Sequence, residues 1–517
     1  MNNSSGSPSA PSDAADRARV GPGTLAAVAL LLPVALVLVG PVPSLTENGY
    51  LLPPYRLFHP GFIARDWTFG GGWDRTWLFN HLLGAPLAVL PLEAVGWLGR
   101  VAVSILILAA LFRIGRRFDD STPAVILVLL LWLCAGQALV GGEVLLPFLA
   151  PNTTAWACLL LSIDALLADR DVLAAALLGV CFSLHPAVGL SAFAGVFAGL
   201  LALGYSQRRL LRLIAVTIPG AMPGIIGLVM LGGARSGGRA DWAFQVLERQ
   251  PYQLDPFYFR RSLLAAMAAM VAFTCVQGLG RGQGKVSRFV AGFELGLVVV
   301  FVGGVTARWV GRFELLRVFP FRLLPVVTLP FFGFALLKAL RDRHRRPLGS
   351  GMAALTVLGC VGALVAIGQV GHTVSVAHKL WQPPDDLTHA FEWVARNTPE
   401  DAILIVPPIR RDARYRAGRA ITVSWAFARM DSLTAWRERI VSLVGPQQPP
   451  LVGAEPWMEA RFNERTEAQI DEAQARFGGD YLVSAGTYSF PVLYDTGTYR
   501  VYRLTPPVHP AMAQGPP

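Results

Sequence analysis

Charged side chains are scarce in this sequence. Only 15% of its 517 residues are Asp, Glu, Lys or Arg, whereas 53% are hydrophobic, and the mean hydropathy is +0.47. Because a soluble globular chain is about a quarter charged, this chain has too little polar surface to cover itself in water. The shortage excludes an ordinary soluble enzyme and predicts a chain inserted in a membrane.

Lysine is almost missing and occurs only at Lys285, Lys338 and Lys379. The formal net charge of +11 therefore comes almost entirely from arginine. These arginines cluster in short turns between hydrophobic segments, as in membrane proteins. A nucleic-acid-binding protein would instead need a basic face on a soluble module. The sequence thus predicts the lipid bilayer as a partner and no nucleic acid.

Cysteine is also scarce, and every cysteine lies within a predicted helix: Cys134, Cys158, Cys181, Cys275 and Cys360. This placement excludes a disulfide framework and a CxxC metal site. Walker and HExxH motifs are missing, as are convincing GxGxxG and GxSxG motifs. The sequence predicts no metal ligands and no certain cofactor, and it leaves open whether a divalent metal assists.

Eleven hydrophobic segments are candidate transmembrane helices, although several are shorter than the roughly 20 residues of a perpendicular crossing. The first lacks a convincing cleavage site and is interpreted as a retained helix. We expect an all-α polytopic membrane domain at 25–370, preceded by a disordered cytoplasmic tail at 1–24. The segments are 25–42, 92–112, 123–140, 154–168, 172–187, 189–205, 211–232, 262–280, 289–306, 321–340 and 349–370.

The arginine-rich turns predict the orientation, because such turns stay in the cytoplasm. With the N-terminus inside, the long loops 43–91 and 233–261 lie outside. An odd number of crossings then places residues 371–517 outside as well. We therefore expect a multi-pass protein of a bacterial inner membrane. The predicted cytoplasmic turns are 113–122, 169–171, 206–210, 281–288 and 341–348.

After Val370 the composition changes to that of a small soluble α/β domain. A helix is predicted at 385–397, with Asp385 as its cap and Pro399 ending it. Further helices are predicted around Trp436 and at 456–476. Short apolar runs predict the strands, which are 402–406, 421–425, 481–483 and 499–504.

Candidate functional residues are sought in the loops, since polar groups are costly within the hydrocarbon. The first outer loop is the richest and contains Glu47, Tyr50, Arg56, His59, Arg65, Asp66 and Trp67. One interpretation is an interfacial loop with aromatic residues and ion pairs among the lipid headgroups. The other is a functional site.

Glu47-Asn48-Gly49-Tyr50 followed by Arg65-Asp66-Trp67 resembles the first outer loop of the GT-C glycosyltransferases. That superfamily includes the lipid A aminoarabinose transferases and the protein O-mannosyltransferases. The resemblance extends to the many helices, to the external C-terminal domain and to the segment 397–402. It implies a GT-C-like fold in a bacterial branch of the superfamily. It also implies transfer of a sugar from a polyprenyl-phosphate donor to an extracytoplasmic glycan, lipid or protein acceptor.

Carried over by position, the resemblance implies that Glu47 is the general base and Asp66 a second candidate. Glu143 in the second outer loop matches a further acid of the family. Basic residues would balance the lipid phosphate; for several of them, helix ending or snorkelling to headgroups is an equal interpretation. The implied substrate-binding residues are Tyr50, Arg56, His59, Arg65, His185, Arg260, Arg261, Arg317 and Arg322.

Two other functions stay open at this point. Thr46 stands where the family usually has the first acid, which favours a non-catalytic relative that assists envelope assembly. A transporter or flippase is the third hypothesis, although paired inverted repeats and broken helices are not evident. Asp164 and Glu294 lie toward cytoplasmic helix ends and are either functional or structural. The arginines at 410–419 predict a solvated basic loop or a site for an anionic acceptor.

Overall fold

The structure is a computed structural model of the 517-residue chain. Its description covers residues 21–38, 47–69, 76–119, 121–141, 145, 146, 148–232, 237–280, 282–342, 350–368, 383–426, 428, 429, 432–447, 450 and 454–505. The first part, up to residue 368, is called the membrane domain below. The part from residue 383 is called the C-terminal domain.

The membrane domain is helical wherever the sequence has long apolar segments, and each of the eleven predicted segments overlaps a helix. Its helices are α1 (Pro22–Val37), α2 (Asn48–Phe58), α3 (Trp77–Leu87), α4 (Leu92–Phe118), α5 (Thr122–Cys134), α6 (Pro151–Leu167), α7 (Asp171–Leu184), α8 (Pro186–Ala202), α9 (Gln207–Gly232), α10 (Arg239–Phe244), α11 (Pro251–Leu254), α12 (Arg261–Leu279), α13 (Lys285–Trp309), α14 (Leu323–Asp342) and α15 (Ser350–Ile367).

Five of the described helices are long and apolar enough to cross a membrane: α4, α9, α12, α13 and α14. Shorter apolar helices accompany them, namely α1, α5, α7 and α8. The chain is therefore a mostly helical membrane protein with several spans. The predicted segment 123–140 is too long, since α5 ends at Cys134. Gly136 and Gln137 follow with positive φ angles of 81° and 68°, which a right-handed helix cannot include.

The basic turns that were predicted to be cytoplasmic meet at one end of the helical bundle. Asp164 on α6 is held by Arg113 and Arg117 of α4, at 3.0 and 2.8 Å. Asp169 contacts Lys285 at 2.6 Å, before α13 has made its first turn. These ion pairs join turns that are far apart in sequence, so the turns share one side of the bundle. Asp164 is therefore paired with two arginines of the same helix. Glu294 is buried on α13 near Thr274, and a functional and a structural role both stay predictions for it.

The two predicted long loops contain short helices. The segment 43–91 includes α2, α3 and a 3₁₀ turn at Trp67–Phe69. The segment 233–261 includes α10, a π-helical turn at Gln245–Arg249 and α11. Apolar residues such as Leu51 and Leu52 are fully buried, so these segments pack as parts of the domain.

The C-terminal domain is a five-stranded mixed sheet with helices. Its helices are α16 (Asp386–Asn397), α17 (Ala413–Ala417), α18 (Leu433–Val444), α19 (Ala454–Asn463) and α20 (Glu467–Phe477). Its strands are β1 (Ile403–Ile405), β2 (Ala420–Ile421), β3 (Tyr481–Ser484), β4 (Val492–Asp495) and β5 (Arg500–Arg503), in the sheet order β2-β1-β3-β5-β4. β1 is parallel to both β2 and β3, whereas β5 is antiparallel to β3 and β4.

Local sequence signals explain the helix boundaries of this domain. Asp385 caps α16 by accepting a hydrogen bond from the Thr388 N–H at 2.9 Å, as predicted. The single helix predicted at 456–476 is wrong, because Thr466 begins a new helix. Its side chain accepts from the Gln469 N–H while the Gln469 side chain accepts from the Thr466 N–H, forming a capping box. Strand β4 was not predicted.

Candidate functional site

Glu47 lies at the start of α2 and is fully buried. Arg100 of α4, also fully buried, donates to both of its carboxylate oxygens, with Nε 3.1 Å from Oε1. Oε1 also accepts from the backbone N–H of Leu149 at 2.8 Å. The Arg100 guanidinium lies 5.0 Å from the Trp97 ring centroid. Glu47 therefore joins α2, α4 and the segment that precedes α6.

The loop between α5 and α6, which is the predicted second outer loop, has hydrogen bonds between its described residues. The Gln137 side chain accepts from the N–H groups of Leu145 and Leu146, at 2.8 and 2.7 Å, and donates to the Leu146 carbonyl at 2.8 Å. The Leu139 N–H donates to the Pro325 carbonyl at 3.2 Å. These bonds hold the loop beside the segment that leads into α14. Glu143 itself lies outside the described residues.

Asp66 lies in the first outer loop and is also buried, at 2% exposure. Its carboxylate accepts from Arg414 of the C-terminal domain, with Nε 2.7 Å from Oδ2 and Nη2 3.2 Å from Oδ1. Oδ2 accepts from the Ile421 N–H at 3.0 Å. Ile421 belongs to β2, which is an edge strand of the sheet. Asp66 therefore accepts a hydrogen bond from a backbone N–H of that edge strand.

The residues around Asp66 extend this contact. Arg65 bonds Asp480 at 3.1 Å, and Thr68 accepts from Arg414 at 2.6 Å. The Trp67 ring has the guanidinium of Arg439 4.4 Å from its centroid and that of Arg429 5.3 Å away. Burial lowers the pKa of Arg439 to about 10, while the nearby Asp66 carboxylate acts in the opposite direction. We call the set of contacts made by residues 65–69 the first contact.

The second long loop also touches the C-terminal domain, through residues 241–249. Phe244 lies 5.8 Å from the Trp425 ring centroid and 5.9 Å from that of Trp436, which is fully buried. Arg249 donates to the Trp425 carbonyl at 2.7 Å. Asp241 accepts from the Thr434 hydroxyl at 2.6 Å. We call these interactions the second contact; together with the first, they put both long loops and the C-terminal domain on one side of the bundle.

His185 and Arg322 are 137 residues apart in sequence but meet at the end of the bundle where α8 begins. His185 caps α8, because its Nδ1 accepts from the Val188 N–H at 3.2 Å. A neutral imidazole has one acceptor nitrogen, so the tautomer decides whether the ring accepts from Val188 or from Arg322. Nη1 of Arg322, which can only donate, lies 3.4 Å from Nε2, and this contact joins the two side chains when Nε2 is the acceptor. A charged arginine at the start of a helix suits an anion such as a phosphate.

The backbone before α14 positions Arg322. Phe319 has a positive φ angle of 51°, which is unusual for a bulky residue. Its ring centroid lies 3.9 Å from the Arg322 guanidinium, and its carbonyl accepts from the Arg322 N–H at 3.2 Å. Arg322 is only 9% exposed. Strained backbone of this kind is often found at functional sites.

The other residues predicted to bind substrate are spread over the surface and the first loop. Arg260, Arg261 and Arg317 are exposed and form no ion pair with any residue that the structure describes. Arg56 donates to the Ala64 carbonyl, and His59 stacks on Tyr55 with a centroid distance of 4.1 Å. Tyr50 is half-buried on α2.

The described part of the chain contains no group of three or more His, Cys, Asp and Glu side chains that could hold a metal ion. Its arginines at 410–419 are held within the protein. Arg410 bonds Asp385 and Asp412, and Arg419 donates to the carbonyls of Ala395 and Thr398. Burial alone would raise the pKa of Asp385, but hydrogen bonds from Arg410 and Thr388 outweigh it and lower the pKa to about 2.

Two residues of this region were not predicted from sequence. Arg100 carried a signal, because an arginine in the middle of an apolar helix requires a partner. Gln137 carried little signal, since a glutamine after a helix is common. The catalytic roles of Glu47, Asp66 and Glu143 stay predictions. The geometry of Glu47 and Asp66 favours positioning, because each carboxylate already binds an arginine and a backbone N–H.

A profile described as "Domain of unknown function (DUF6798)" matches residues 385–443, which form the first part of the C-terminal domain. No curated protein sequence matches the chain.

Among solved structures, the chain is similar to the archaeal oligosaccharyltransferase AglB from Archaeoglobus fulgidus, in complex with an inhibitory peptide and a dolichol-phosphate. The identity is 14% and the TM-score 0.44, over 89% of this chain and 69% of that one. It is similar to the arabinofuranosyltransferase AftD from Mycobacteria, at 15% identity and a TM-score of 0.45 over 89% of this chain. The match covers about a third of AftD, 35% of its length.

The chain is also similar to ArnT from Cupriavidus metallidurans in the apo state, at 14% identity and a TM-score of 0.44. That match covers 92% of this chain and 97% of ArnT. These similarities concern the fold alone. Each of these matches spans about nine tenths of this chain.

Proposed function

We propose that the protein is a membrane glycosyltransferase that moves a sugar from a polyprenyl-phosphate donor to an extracytoplasmic acceptor. In this proposal the chain makes eleven crossings of a bacterial inner membrane. Its N-terminus is cytoplasmic, and its C-terminal domain is extracytoplasmic. The acceptor is a glycan, lipid or protein of the cell envelope. No step of the proposal requires a metal.

The observation that carries the proposal is the meeting of His185 and Arg322. Both had been selected from the sequence as substrate-binding candidates, and they lie close together although they are far apart in the sequence. The Arg322 guanidinium, at the place where α8 begins, suits the charged oxygens of a lipid phosphate. Arg260, Arg261 and Arg317 are exposed and would attract an anionic headgroup.

Glu143 is the carboxylate that we propose as general base. Glu47 and Asp66 are buried and bound by arginines, and a base must be able to reach the acceptor hydroxyl. The described residues on either side of Glu143 support this choice. Gly141 packs so closely on the Phe321 carbonyl that an added Cβ would lie 3.1 Å from that oxygen. Gly141, two residues before Glu143 in the sequence, therefore lies beside the backbone that precedes Arg322.

Binding and transfer are tested separately. Binding of radiolabelled undecaprenyl phosphate to the purified protein should weaken at least about tenfold in Arg322→Gln, since a hydrogen bond to a charged group contributes about 1.5–3 kcal/mol. Arg312→Gln is the matched control, because Arg312 is exposed and only 3.7 Å from Glu314. Equal binding by wild type and Arg322→Gln would contradict the proposed phosphate site.

Transfer is measured in membranes with a radiolabelled polyprenyl-phosphate sugar. Glu143→Gln should lower kcat by about 10²–10⁴ while leaving lipid binding unchanged. Full activity of this variant would remove Glu143 from the mechanism.

A non-catalytic role is the second candidate, and the pairing of Glu47 and Asp66 with buried arginines favours it. A non-catalytic protein would bind the lipid phosphate through Arg322 but show no transfer in the wild type.

The orientation of the chain in the membrane is tested by fusing alkaline phosphatase, or a fluorescent protein that matures only in the cytoplasm, after Gln369. Fluorescence together with inactive phosphatase would contradict the proposed topology.

A further inference from the structure

The Glu47–Arg100 ion pair is completely buried, whereas acidic residues of loops are usually exposed to solvent. Both side chains have no exposed surface, although an unpaired charge there would be very costly. The pair lies between α2 and α4, and neither residue belongs to the His185–Arg322 site. A buried ion pair restricts the relative positions of the elements that it joins more than an apolar contact would.

The arrangement that it defines involves Leu149. The Leu149 N–H donates to Glu47, and the Leu149 side chain packs on the surface of α4 beside Arg100. Gly99 makes this possible, because a Cβ there would lie 2.3 Å from a methyl carbon of Leu149. Leu149 is therefore held by its backbone through Glu47 and by its side chain through Gly99.

Leu149 closes the second outer loop, whose other tethers lead to α14. Gln137 binds Leu145 and Leu146, and Leu139 donates to Pro325. The Thr153 hydroxyl donates to the Phe148 carbonyl at 2.7 Å, which joins the loop to α6. The Leu139 bond joins the loop to the segment 319–325, which carries Arg322.

We infer that Glu47 and Arg100 are positioning residues, which fix Leu149 and through it the placement of Arg322 at the donor phosphate. The inference rests on the proposed function for the role of Arg322. It assigns no proton transfer to Glu47, whose carboxylate accepts from Arg100 and from the Leu149 N–H.

The test uses the full-length protein and three variants: Glu47→Gln, Gly99→Ala and the double variant Glu47→Leu with Arg100→Met. The glycine variant displaces Leu149 without altering any charge. The double variant removes both charges together, which avoids leaving one of them buried and unpaired.

Hydrogen exchange at the Leu149 amide is the first readout, and it needs no enzymatic activity. We expect exchange to rise about 10- to 100-fold in Glu47→Gln and in the double variant, because both weaken or remove the bond to a charged acceptor. Unchanged exchange in all variants would overturn the inference. This result is independent of whether the wild type transfers sugar.

Kinetics are the second readout. We expect Glu47→Gln and Gly99→Ala each to raise the KM for the polyprenyl-phosphate sugar by about tenfold, with an unchanged pH profile and acceptor KM. Loss of folded protein alone would lower the apparent kcat and leave the donor KM unchanged. A fall in kcat of about 10²–10⁴ with loss of the acid limb of the pH profile, in Glu47→Gln but not in Gly99→Ala, would identify Glu47 as the base and overturn the inference.

An inactive wild type would contradict the proposed function, and the exchange measurement would still decide the positioning of Leu149. A double variant that fails to fold leaves the decision to Gly99→Ala and Glu47→Gln. Donor KM values equal to wild type in both of these, at normal protein levels, would count against any transmission from Leu149 to Arg322.

Discussion

The two long loops of the membrane domain contact the same C-terminal domain by different chemistry. The first contact is centred on the Asp66–Arg414 ion pair, with polar bonds and cation–π packing around it. The second is centred on the rings of Phe244, Trp425 and Trp436. The first contact thus depends on a matched pair of charges, whereas the second combines ring packing with the hydrogen bonds of Arg249 and Asp241.

The two contacts therefore contribute differently to the orientation of the C-terminal domain and to the free energy of its docking. A buried ion pair gains little net stability, because desolvation offsets the attraction, but it tolerates only one geometry. Aromatic packing stabilises in proportion to the area that it buries and tolerates small shifts. The second contact should therefore provide most of the free energy of docking, while the first fixes the orientation of the sheet relative to the membrane domain.

The largest effect is expected when one charge of the first contact is removed. Asp66→Leu leaves Arg414 charged and buried, and should destabilise docking by about 3–5 kcal/mol. Adding Arg414→Met should recover most of this loss, because no charge then stays buried without a partner. Docking is measured in detergent by protease protection of residues 241–249 in the second contact, because the Ile421 amide loses its own acceptor in both variants. Equal protection in the single and double variants would show that Asp66 acts apart from Arg414.

A smaller loss is expected in the second contact. Trp436→Phe removes part of a fully buried ring and the hydrogen bond from its Nε1 to the Ser424 carbonyl, at 2.9 Å. The cost should be about 1–3 kcal/mol. Protease protection of residues 241–249 reports it. Trp309→Phe is the control, because Trp309 is 78% exposed and its replacement should stay within about 0.5 kcal/mol.

The Asp385–Arg410 pair forms its described bonds within the C-terminal domain, and it tests folding of this domain apart from its docking. The pKa of Asp385 is lowered from 3.8 to about 2 in the folded domain. Its contribution is therefore complete above about pH 4 and is lost as the pH falls toward 2. Because the carboxylate is 58% exposed, the contribution should stay within about 1 kcal/mol.

Asp385→Asn keeps a side-chain cap for α16 but removes the charge. The difference in unfolding free energy between wild type and Asp385→Asn should be constant from pH 7 to pH 4 and shrink below pH 4. A difference that grows on acidification would contradict the assignment. The exchange of Ile421 at pH 7 should not change, because docking does not involve Asp385.

The smallest effect is expected at Arg65, which belongs to the first contact but is exposed. Its ion pair with Asp480 is 3.1 Å long, with both side chains over 40% exposed. Arg65→Ala should cost about 0.2–1 kcal/mol, and the loss should decrease in high salt. A loss as large as that of Asp66→Leu would show that the solvent-exposed rim, and not the buried pair, holds the first contact.

Sequence patterns predicted the parts of this structure that depend on local composition. Apolar runs located eleven of the described membrane-domain helices but not α2, α3, α10 and α11, and Asp385 was correctly predicted as a cap. The split between α19 and α20 was also readable, since Thr466 and Gln469 have the spacing of a capping box. Strand β4 was not, because Val492 and Leu493 are exposed and show no alternation of buried and exposed residues.

The candidate site depends on partners that are distant in sequence, and these could not be predicted. The acids of the first loop were found, but their surroundings depend on Arg100 and Arg414, which lie 53 and 348 residues away. Local spacing predicts neither partner. His185 and Arg322 were both selected as candidates for one ligand, yet only the packing of α8 against the segment before α14 brings them together.

The bond between Asp66 and β2 has a consequence for biosynthesis. The ribosome adds Asp66 to the chain 348 residues before Arg414, which at usual synthesis rates is about 20–70 s earlier. During that interval the C-terminal domain, which buries Asp66 in the finished protein, has not yet been synthesised. Docking is therefore a late event, completed only after the last helices of the membrane domain have been made. Chains that terminate early would carry Asp66 without its cation, and would differ from finished molecules at the membrane surface.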